Sequence, residues 1–172
     1  PSISGLVVLI DISSRVTENM TTEDLDQIQN IITTNYNVTD SSVSMETSYT
    51  VGGQLFLNNL GTDFNIDVQG EIIIDALSSV LGIHPKDIEI ISVNIANGEV
   101  IFNISGDLYT DIVDAVSILS SDVIVGELNK VLKKEQAGIQ IMQINADEDI
   151  IFEANIIIDA SQFSVHPWSC DD

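Results

Sequence analysis

Apolar residues recur at two different spacings in the first third of the chain, and these spacings predict its strands and helices. The run from Ser4 to Ile12 is rich in β-branched residues and predicts a strand. Residues 21–36 start with a capping pattern and continue with apolar residues three or four positions apart, which predicts a helix. Residues 43–58 alternate as two strands around Gly52-Gly53, which we interpret as a hairpin turn.

The middle of the chain shows the same order of elements. The alternation of Phe64, Ile66 and Val68 predicts a short strand, and the apolar stripe that follows predicts a helix that ends at Gly82. Asn97-Gly98 is a strong hairpin signal, so the apolar runs on either side of it are expected to be paired strands.

The last third of the chain is predicted to contain an interrupted helical region and two strands. Residues 108–136 have helical periodicity, but Ser120-Ser121-Asp122 compete with the backbone for hydrogen bonds and predict a break. Residues 139–144 and 150–159 are predicted strands, and Asp147-Glu148-Asp149 is predicted to be an acidic turn between them.

An ungapped internal repeat with an offset of 45 residues relates two parts of the chain, with Val38 aligned to Ile83 and Gly53 aligned to Gly98. The repeat predicts an α+β protein with two related β-α-β-β units, in which antiparallel sheets carry helices on one face. The second unit continues to β-α-β-β-α-β, the ferredoxin-like split βαβ order. The predicted domains are a truncated unit at 1–60, a complete unit at 61–146, and an extra strand and tail at 147–172.

The truncated unit lacks a second helix and a fourth strand, so its sheet is expected to have an uncovered edge. Either terminal strand is able to complete it, in its own chain or in a neighbouring subunit by strand addition. Both alternatives stay open. The residues predicted to carry this contact are Leu6, Val8, Ile10, Ile151, Ile156 and Ile158.

A core between one sheet and two helices is predicted where the helical and strand periods converge. Its members are Ile73, Leu77, Val80, Leu81, Ile88, Ile90, Val100, Phe102, Ile112, Val116, Leu128, Val131 and Ile141.

The formal net charge of −22 changes the picture of possible partners. A surface with this charge repels phosphate backbones, so nucleic acids and anionic membranes are poor partners. No apolar run approaches the roughly 20 residues of a membrane-spanning helix, so membrane insertion is not expected. The charge is interpreted first as a source of solubility and alternatively as an adaptation to a wet, cation-rich setting.

Three sequons allow N-linked glycans at Asn19, Asn37 and Asn103. The first two flank a predicted helix in loops, and Asn103 ends a predicted strand. A start at Pro1 is consistent with a processed, mature chain, and together these features predict an extracellular or cell-surface protein.

The segment from Ala76 to Ile90, ALSSVLGIHPKDIEI, resembles the helix-to-strand segment of SEA-like, ferredoxin-like modules of protist surface and mastigoneme-type fibre proteins. The later helix is similar too, with its Ser-Ser break and the run Glu127 to Leu132. The resemblance implies an extracellular, often glycosylated, structural or adhesive role. Some SEA modules cleave themselves at a Gly-Ser hairpin, but no Ser follows Gly53 or Gly98, so self-cleavage is not expected.

Few residues suggest chemistry. His84 and His166 each precede a proline and lack partners in the pattern for a zinc site or a catalytic triad. The oxygens of Asp147, Glu148 and Asp149 suit Ca²⁺, although a solvated acidic turn between two strands is the simpler explanation. No phosphate-binding loop is present. No catalytic residue and no cofactor other than Ca²⁺ or N-linked glycans is therefore expected.

The tail is predicted to fold back on its own domain or to dock onto a neighbour, through Phe163, Trp168 and Cys170. Altogether the sequence predicts a non-catalytic extracellular protein whose partner is another copy of itself, most simply the subunit of a glycosylated surface fibre assembled by strand addition. The alternative is a monomeric module that binds a protein or a glycan.

Overall fold

The computed structural model describes residues 7–58, 64–135 and 137–159, and over these ranges the chain is an α+β protein. Its six strands form one antiparallel sheet. The strands are β1 (Val7–Val16), β2 (Val43–Asn58), β3 (Ile88–Asn94), β4 (Glu99–Gly106), β5 (Gln140–Ala146) and β6 (Ile150–Asp159). The α-helices are α1 (Thr22–Tyr36), α2 (Ile66–Leu81), α3 (Tyr109–Leu119) and α4 (Ile124–Lys134). The predicted fold class is confirmed at this level.

Helix α1 begins at the predicted capping box. The Thr21 hydroxyl accepts a hydrogen bond from the Asp24 N–H at 3.1 Å, and the Asp24 carboxylate accepts one from the Thr21 N–H at 3.0 Å. Hydrogen bonding of the Asp24 carboxylate, first to the backbone N–H of Thr21 and then to its side chain, lowers the pKa of Asp24. The buried side chain of Ile32 attaches the helix to the sheet through Ile156 and Ile158.

Helix α2 begins where a strand was predicted. Asn65 caps it, because its side chain accepts a hydrogen bond from the Asp67 N–H at 2.9 Å. The prediction of a strand over residues 64–68 is therefore wrong. Ile66 and Val68 lie in the first helical turn and are 43% and 56% exposed, so their alternation did not reflect burial on one face of a sheet.

Strand β2 is a single 16-residue strand, and the predicted hairpin at Gly52-Gly53 is wrong. Both glycines are paired within the β2–β4 ladder, opposite Asn103 and Phe102. A Cβ atom on Gly53 would lie 2.5 Å from the ring of Phe102, and one on Gly52 would collide with the Asp147 carboxylate. The glycines therefore make room for neighbouring side chains, which is a second common reason for glycine in a strand.

The internal repeat is present in one part of the fold. Asn37 and Gly82, which are aligned by the repeat, both end a helix in the left-handed conformation. A single 3₁₀ turn then leads into a strand in each copy, at Asp40–Ser42 and at Pro85–Asp87. The repeat ends after the start of the strand, because Gly98 occupies a turn with φ of 76° whereas its counterpart, Gly53, lies within β2.

Two local predictions are confirmed around β3 and α4. Strands β3 and β4 pair as an antiparallel hairpin across Asn97-Gly98. The helical region is broken near Ser120-Ser121, where the Ser121 hydroxyl donates to the Ile118 carbonyl at 2.8 Å. This bond ends α3 and separates it from α4.

Strands β5 and β6 are collinear rather than folded back on each other. Both pair antiparallel with β2: β6 pairs with the first half of β2, and β5 pairs with the second half of β2. Asp147-Glu148-Asp149 connects them as an irregular bulged segment, and the Asp147 N–H donates to the Gly52 carbonyl at 2.8 Å. The acidic segment does lie between two strands, as predicted, but it is a bulge beside β2 rather than a turn.

The sheet order is β1-β6-β2-β4-β3, with β5 beside β2. Helix α2 contacts both α3 and α4, and these three helices cover one face. The predicted core lies beneath them: Val80, Ile90, Val116 and Val131 are partly buried and pack against it, and the other nine predicted positions are buried. The opposite face of the sheet carries no helix among the described residues.

Both terminal strands lie in the sheet of their own chain. Strand β6 runs between β1 and β2, and its side chains Phe152, Ala154, Ile156 and Ile158 are at most 1% exposed. Of the two predicted ways to complete the sheet, the single chain therefore has completion in cis.

Candidate interaction surface

Strand β1 forms one edge of the sheet. Its ten residues pair with β6 in an unbroken register from Val7 opposite Asp159 to Val16 opposite Ile150, and no second partner strand lies beside β1 within the described ranges. Every second residue of such a strand directs its N–H and C=O groups away from the sheet. The outer side of β1 is therefore a row of backbone groups that can accept another strand.

An apolar corner lies beside this edge on the helix-free face. Val7, Leu9 and Ile157 are 48%, 68% and 40% exposed. Leu9 and Ile157 are direct cross-strand partners. Val8, Ile10 and Ile12 point to the opposite face and pack against the cluster under α1. The two faces of β1 thus differ, and its exposed side chains at this end are the apolar ones.

The remaining exposed side chains of β1 include one acid and one base. Asp11 and Arg15 lie four residues apart on the same face of the strand. Arg15 contacts Asp149 of the acidic bulge at 3.5 Å, and both side chains are more than half exposed. A pair this exposed adds little stability, so Arg15 keeps donors for a further partner.

The acidic bulge borders a shallow concavity of about 580 Å³ on the helix-free face. Gly52 forms its floor, and Asn103, Asp147 and Glu153 line it. The carboxylate of Asp147 fills the space above Gly52. Among the residues that the structure describes, no three acidic, histidine or cysteine side chains converge on a possible metal position. A Ca²⁺ site at Asp147, Glu148 and Asp149 therefore stays a prediction.

The three sequon asparagines lie in different environments. Asn19 and Asn37 are exposed, whereas Asn103 is half-buried in the middle of β4. Asn19 also has a structural role that the sequence did not reveal: its side-chain oxygen accepts a hydrogen bond from the Tyr109 N–H at 3.0 Å, at the start of α3. This bond leaves the amide nitrogen, to which a glycan is attached, out of the contact.

The loop around Asn19 is held to the core at a second point. The Met20 N–H donates to the Tyr49 hydroxyl at 2.8 Å. The ring of Tyr49 in turn packs edge-on against Tyr109 and at a tilt against Phe152. Residues 17–21 are thereby held against the core, which fixes the path of the chain from β1 to α1.

The other residues singled out in the sequence have simpler surroundings. His84 caps the 3₁₀ turn before β3, because its Nδ1 accepts a hydrogen bond from the Lys86 N–H at 3.1 Å. It borders a concavity of about 440 Å³ that includes Asp107 and Asp111. Leu6, Phe163, His166, Trp168 and Cys170 lie outside the described residues.

Comparisons with protein-family models, curated proteins and solved structures give no match. In the described part of the chain, no helix is both long and apolar enough to cross a membrane.

Proposed function

We propose that this chain is a non-catalytic extracellular structural protein, the repeating subunit of a glycosylated surface fibre whose subunits join by strand addition at sheet edges. The observation that carries the proposal is the outer side of β1, beside which the described residues place no other strand, together with an exposed apolar corner. Strand addition uses both features, because the backbone supplies hydrogen bonds and side chains fix the register.

The two edges of the sheet are protected to different extents. Strand β3, at the far edge, has a register shift between Ile90 and Ser92 and an exposed acid at Glu89. Bulges and charges of this kind discourage the docking of another strand. Strand β1 has a regular ladder, and Val7 to Ile10 contains neither a charge nor a proline. An edge of this kind calls for a dedicated partner.

We further propose that residues 49–146 form a ferredoxin-like unit related to SEA-like surface modules. Supporting this, β5-β2-β4-β3 is the strand order of a split βαβ, with α2 linking β2 to β3 and α3–α4 linking β4 to β5. The second half of β2 takes the place of the first strand, which the sequence assigned to residues 64–68. Strands β1 and β6 then extend the sheet of this unit.

The proposed extracellular location is supported by the sequon asparagines Asn19 and Asn37. Both are exposed, Asn19 before the start of α1 and Asn37 at its end. Glycans at these positions, together with the charge of −22, would keep neighbouring fibres apart. Intact-mass analysis of native protein tests this part: unmodified asparagine at all three sequons removes the support.

One observation favours a second function, a monomeric binding module. The concavity over Gly52 combines an amide, carboxylates and backbone on an open, helix-free face, which suits hydrogen bonding to a glycan or a polar peptide. The two functions make different demands on β1. A fibre subunit needs an accessible apolar edge to accept a neighbour's strand, whereas a monomeric binding module does not.

Negative-stain electron microscopy of purified protein tests the structural function, with Leu9→Lys as the variant that disrupts the corner. Val123→Lys is the matched control, since Val123 is 64% exposed at the start of α4, far along the chain from β1. Fibres in the wild type and in Val123→Lys but not in Leu9→Lys support the proposal. Monodisperse particles in all three samples contradict it and favour the binding module.

A further inference from the structure

We infer that the partner of β1 is the β1 strand of a second copy of this chain, paired antiparallel about a two-fold axis at Ser13, with Asp11 of each copy opposite Arg15 of the other. The inference rests on the proposed function and adds the partner strand, its direction and its register.

The direction follows from the topology of the sheet. Neighbouring strands along the path β1-β6-β2-β4-β3 are all antiparallel. Because the path has five strands, its two edge strands run in the same direction. Adding a copy by translation would therefore place β1 parallel to the neighbour's β3. An antiparallel contact, which is the more stable kind per residue, needs a two-fold axis that brings like edges together.

The register follows from the charges on one face of β1. Asp11, Ser13 and Arg15 alternate with residues that face α1, so all three lie on the helix-free face. An axis at Ser13 places Asp11 opposite Arg15 of the partner copy twice. An axis at Asp11 would place two carboxylates directly opposite each other, which is unfavourable. With the axis at Ser13, the charges of one β1 strand are thus complementary to those of the other.

The charge of the rest of the chain strengthens the choice of this edge. The protein has 27 acidic residues and five basic ones, so most contacts between two copies bring like charges together. Strand β1 carries one charge of each sign. Arg15 is also the single basic residue within the six described strands. Its contact with Asp149 at 3.5 Å engages one nitrogen of the guanidinium and is exposed.

A two-fold contact at β1 is compatible with a fibre. The pair of subunits would form one continuous sheet of ten strands along its main path and would present a β3 edge at each end. Because the register shift of β3 and its exposed Glu89 discourage a strand contact at that edge, a second two-fold contact on another surface of the subunit would propagate the fibre without closing it. The β1 contact is the first step and has its own signature, a dimer.

Cysteine crosslinking tests the register. In a Cys170→Ser background, which removes the one native cysteine, single cysteines are introduced at Asp11, Ile12, Ser13 and Ser14. Directly opposed residues in an antiparallel pair have Cα atoms roughly 4.5–5.5 Å apart, within the range of a disulfide. Ser13→Cys is expected to form dimers fastest under mild oxidation. Ser14→Cys is the matched control, because it faces the other side and lies off the axis.

Charge exchange tests the pairing independently by sedimentation equilibrium. Arg15→Asp or Asp11→Arg alone is expected to weaken dimerisation by roughly 2- to 30-fold, because two favourable pairs are lost. The double variant Asp11→Arg/Arg15→Asp is expected to recover most of the affinity. A double variant as weak as the single variants would show that the two residues do not face each other.

The outcomes separate this inference from the proposed function. Fibres without Ser13 crosslinks would overturn the two-fold contact but not the proposed fibre function. The next contact to test would then be an exchange of strand β6 between neighbouring chains. A Ser13-linked dimer without fibres would support the contact and contradict the fibre. Faster crosslinking at Asp11 or Ile12 would refute the register. A monomer without crosslinks at any position would refute the contact, and residues 1–6 or 160–172 would then be the candidates to cover the edge.

Discussion

The ring of Phe102 lies against the backbone of Gly53, its direct partner in the β2–β4 ladder. Both are buried, and a Cβ atom on Gly53 would come within 2.5 Å of the ring. The contact places the largest side chain of β4 in the middle of the sheet without a bulge in β2. It explains why a glycine pair typical of a turn lies inside the longest strand of the protein.

Gly53→Ala is therefore expected to destabilise the protein by about 1–3 kcal/mol, because the Phe102 ring has to move within a packed core. Chemical denaturation measures this change. Gly126→Ala is the matched control: nothing among the described residues lies within 4 Å of a Cβ there, and Gly126 is in α4. That substitution is expected to stabilise by about 0.5–1 kcal/mol. A neutral Gly53→Ala variant would show that Phe102 does not pack against this position.

Leu77 lies at the centre of the core between α2 and the sheet and is completely buried. Leu77→Ala should lower the free energy of unfolding by about 2–5 kcal/mol, through lost burial and the cavity left behind. Val68→Ala on the same helix is the control and should change it by less than about 0.5 kcal/mol, because Val68 is 56% exposed. Equal effects of the two substitutions would show that the face of α2 assigned to the sheet is wrong.

Asn129 of α4 forms a two-point contact with the backbone of β5. Its side-chain oxygen accepts from the Ile141 N–H at 2.8 Å, and its amide donates to the Ile141 carbonyl at 2.9 Å. Asn129→Ala is expected to cost about 1–3 kcal/mol, since both backbone groups lose their partner. Asn129→Asp keeps the acceptor and loses the donor, so it should fall between wild type and alanine in thermal unfolding. An alanine variant as stable as wild type would show that water replaces the side chain.

The capping box of α1 predicts a pH dependence. The pKa of Asp24 is lowered by its hydrogen bonds to Thr21, so ionised Asp24 stabilises the folded state. This contribution is complete above the pKa of the unfolded chain, near 4, and is lost as the pH falls through the lower folded-state pKa. The stability difference between wild type and Asp24→Asn should be constant from pH 5 to 8 and shrink below about pH 4. A difference that does not change with pH would contradict the capping role.

The sequence predicted the elements whose signals are local. The capping box at Thr21, the Ser-Ser break after α3 and the turn at Asn97-Gly98 each depend on residues close in the chain, and all three are confirmed. The apolar periodicity of α2 and β4 likewise predicted the core, because burial of one face imposes that spacing.

The errors arose where residues distant in sequence decide the structure. Gly52-Gly53 has the composition of a turn, and its role as a strand depends on Phe102 and Asp147. The collinear arrangement of β5 and β6 depends on β2 being long enough to pair with both. In the candidate surface, the apolar, β-branched run of β1 was visible in the sequence, but the position of β1 at the edge of the sheet was not.

Sedimentation velocity over a range of protein concentrations at physiological salt tests the central claim, self-association through β1, most directly. We expect wild type and Val123→Lys to form species heavier than the 18.7 kDa chain as concentration rises, whereas Leu9→Lys stays at the mass of a monomer and folds normally by circular dichroism. A wild type that stays monomeric at every concentration, or a Leu9→Lys variant that associates as strongly as wild type, would contradict this claim.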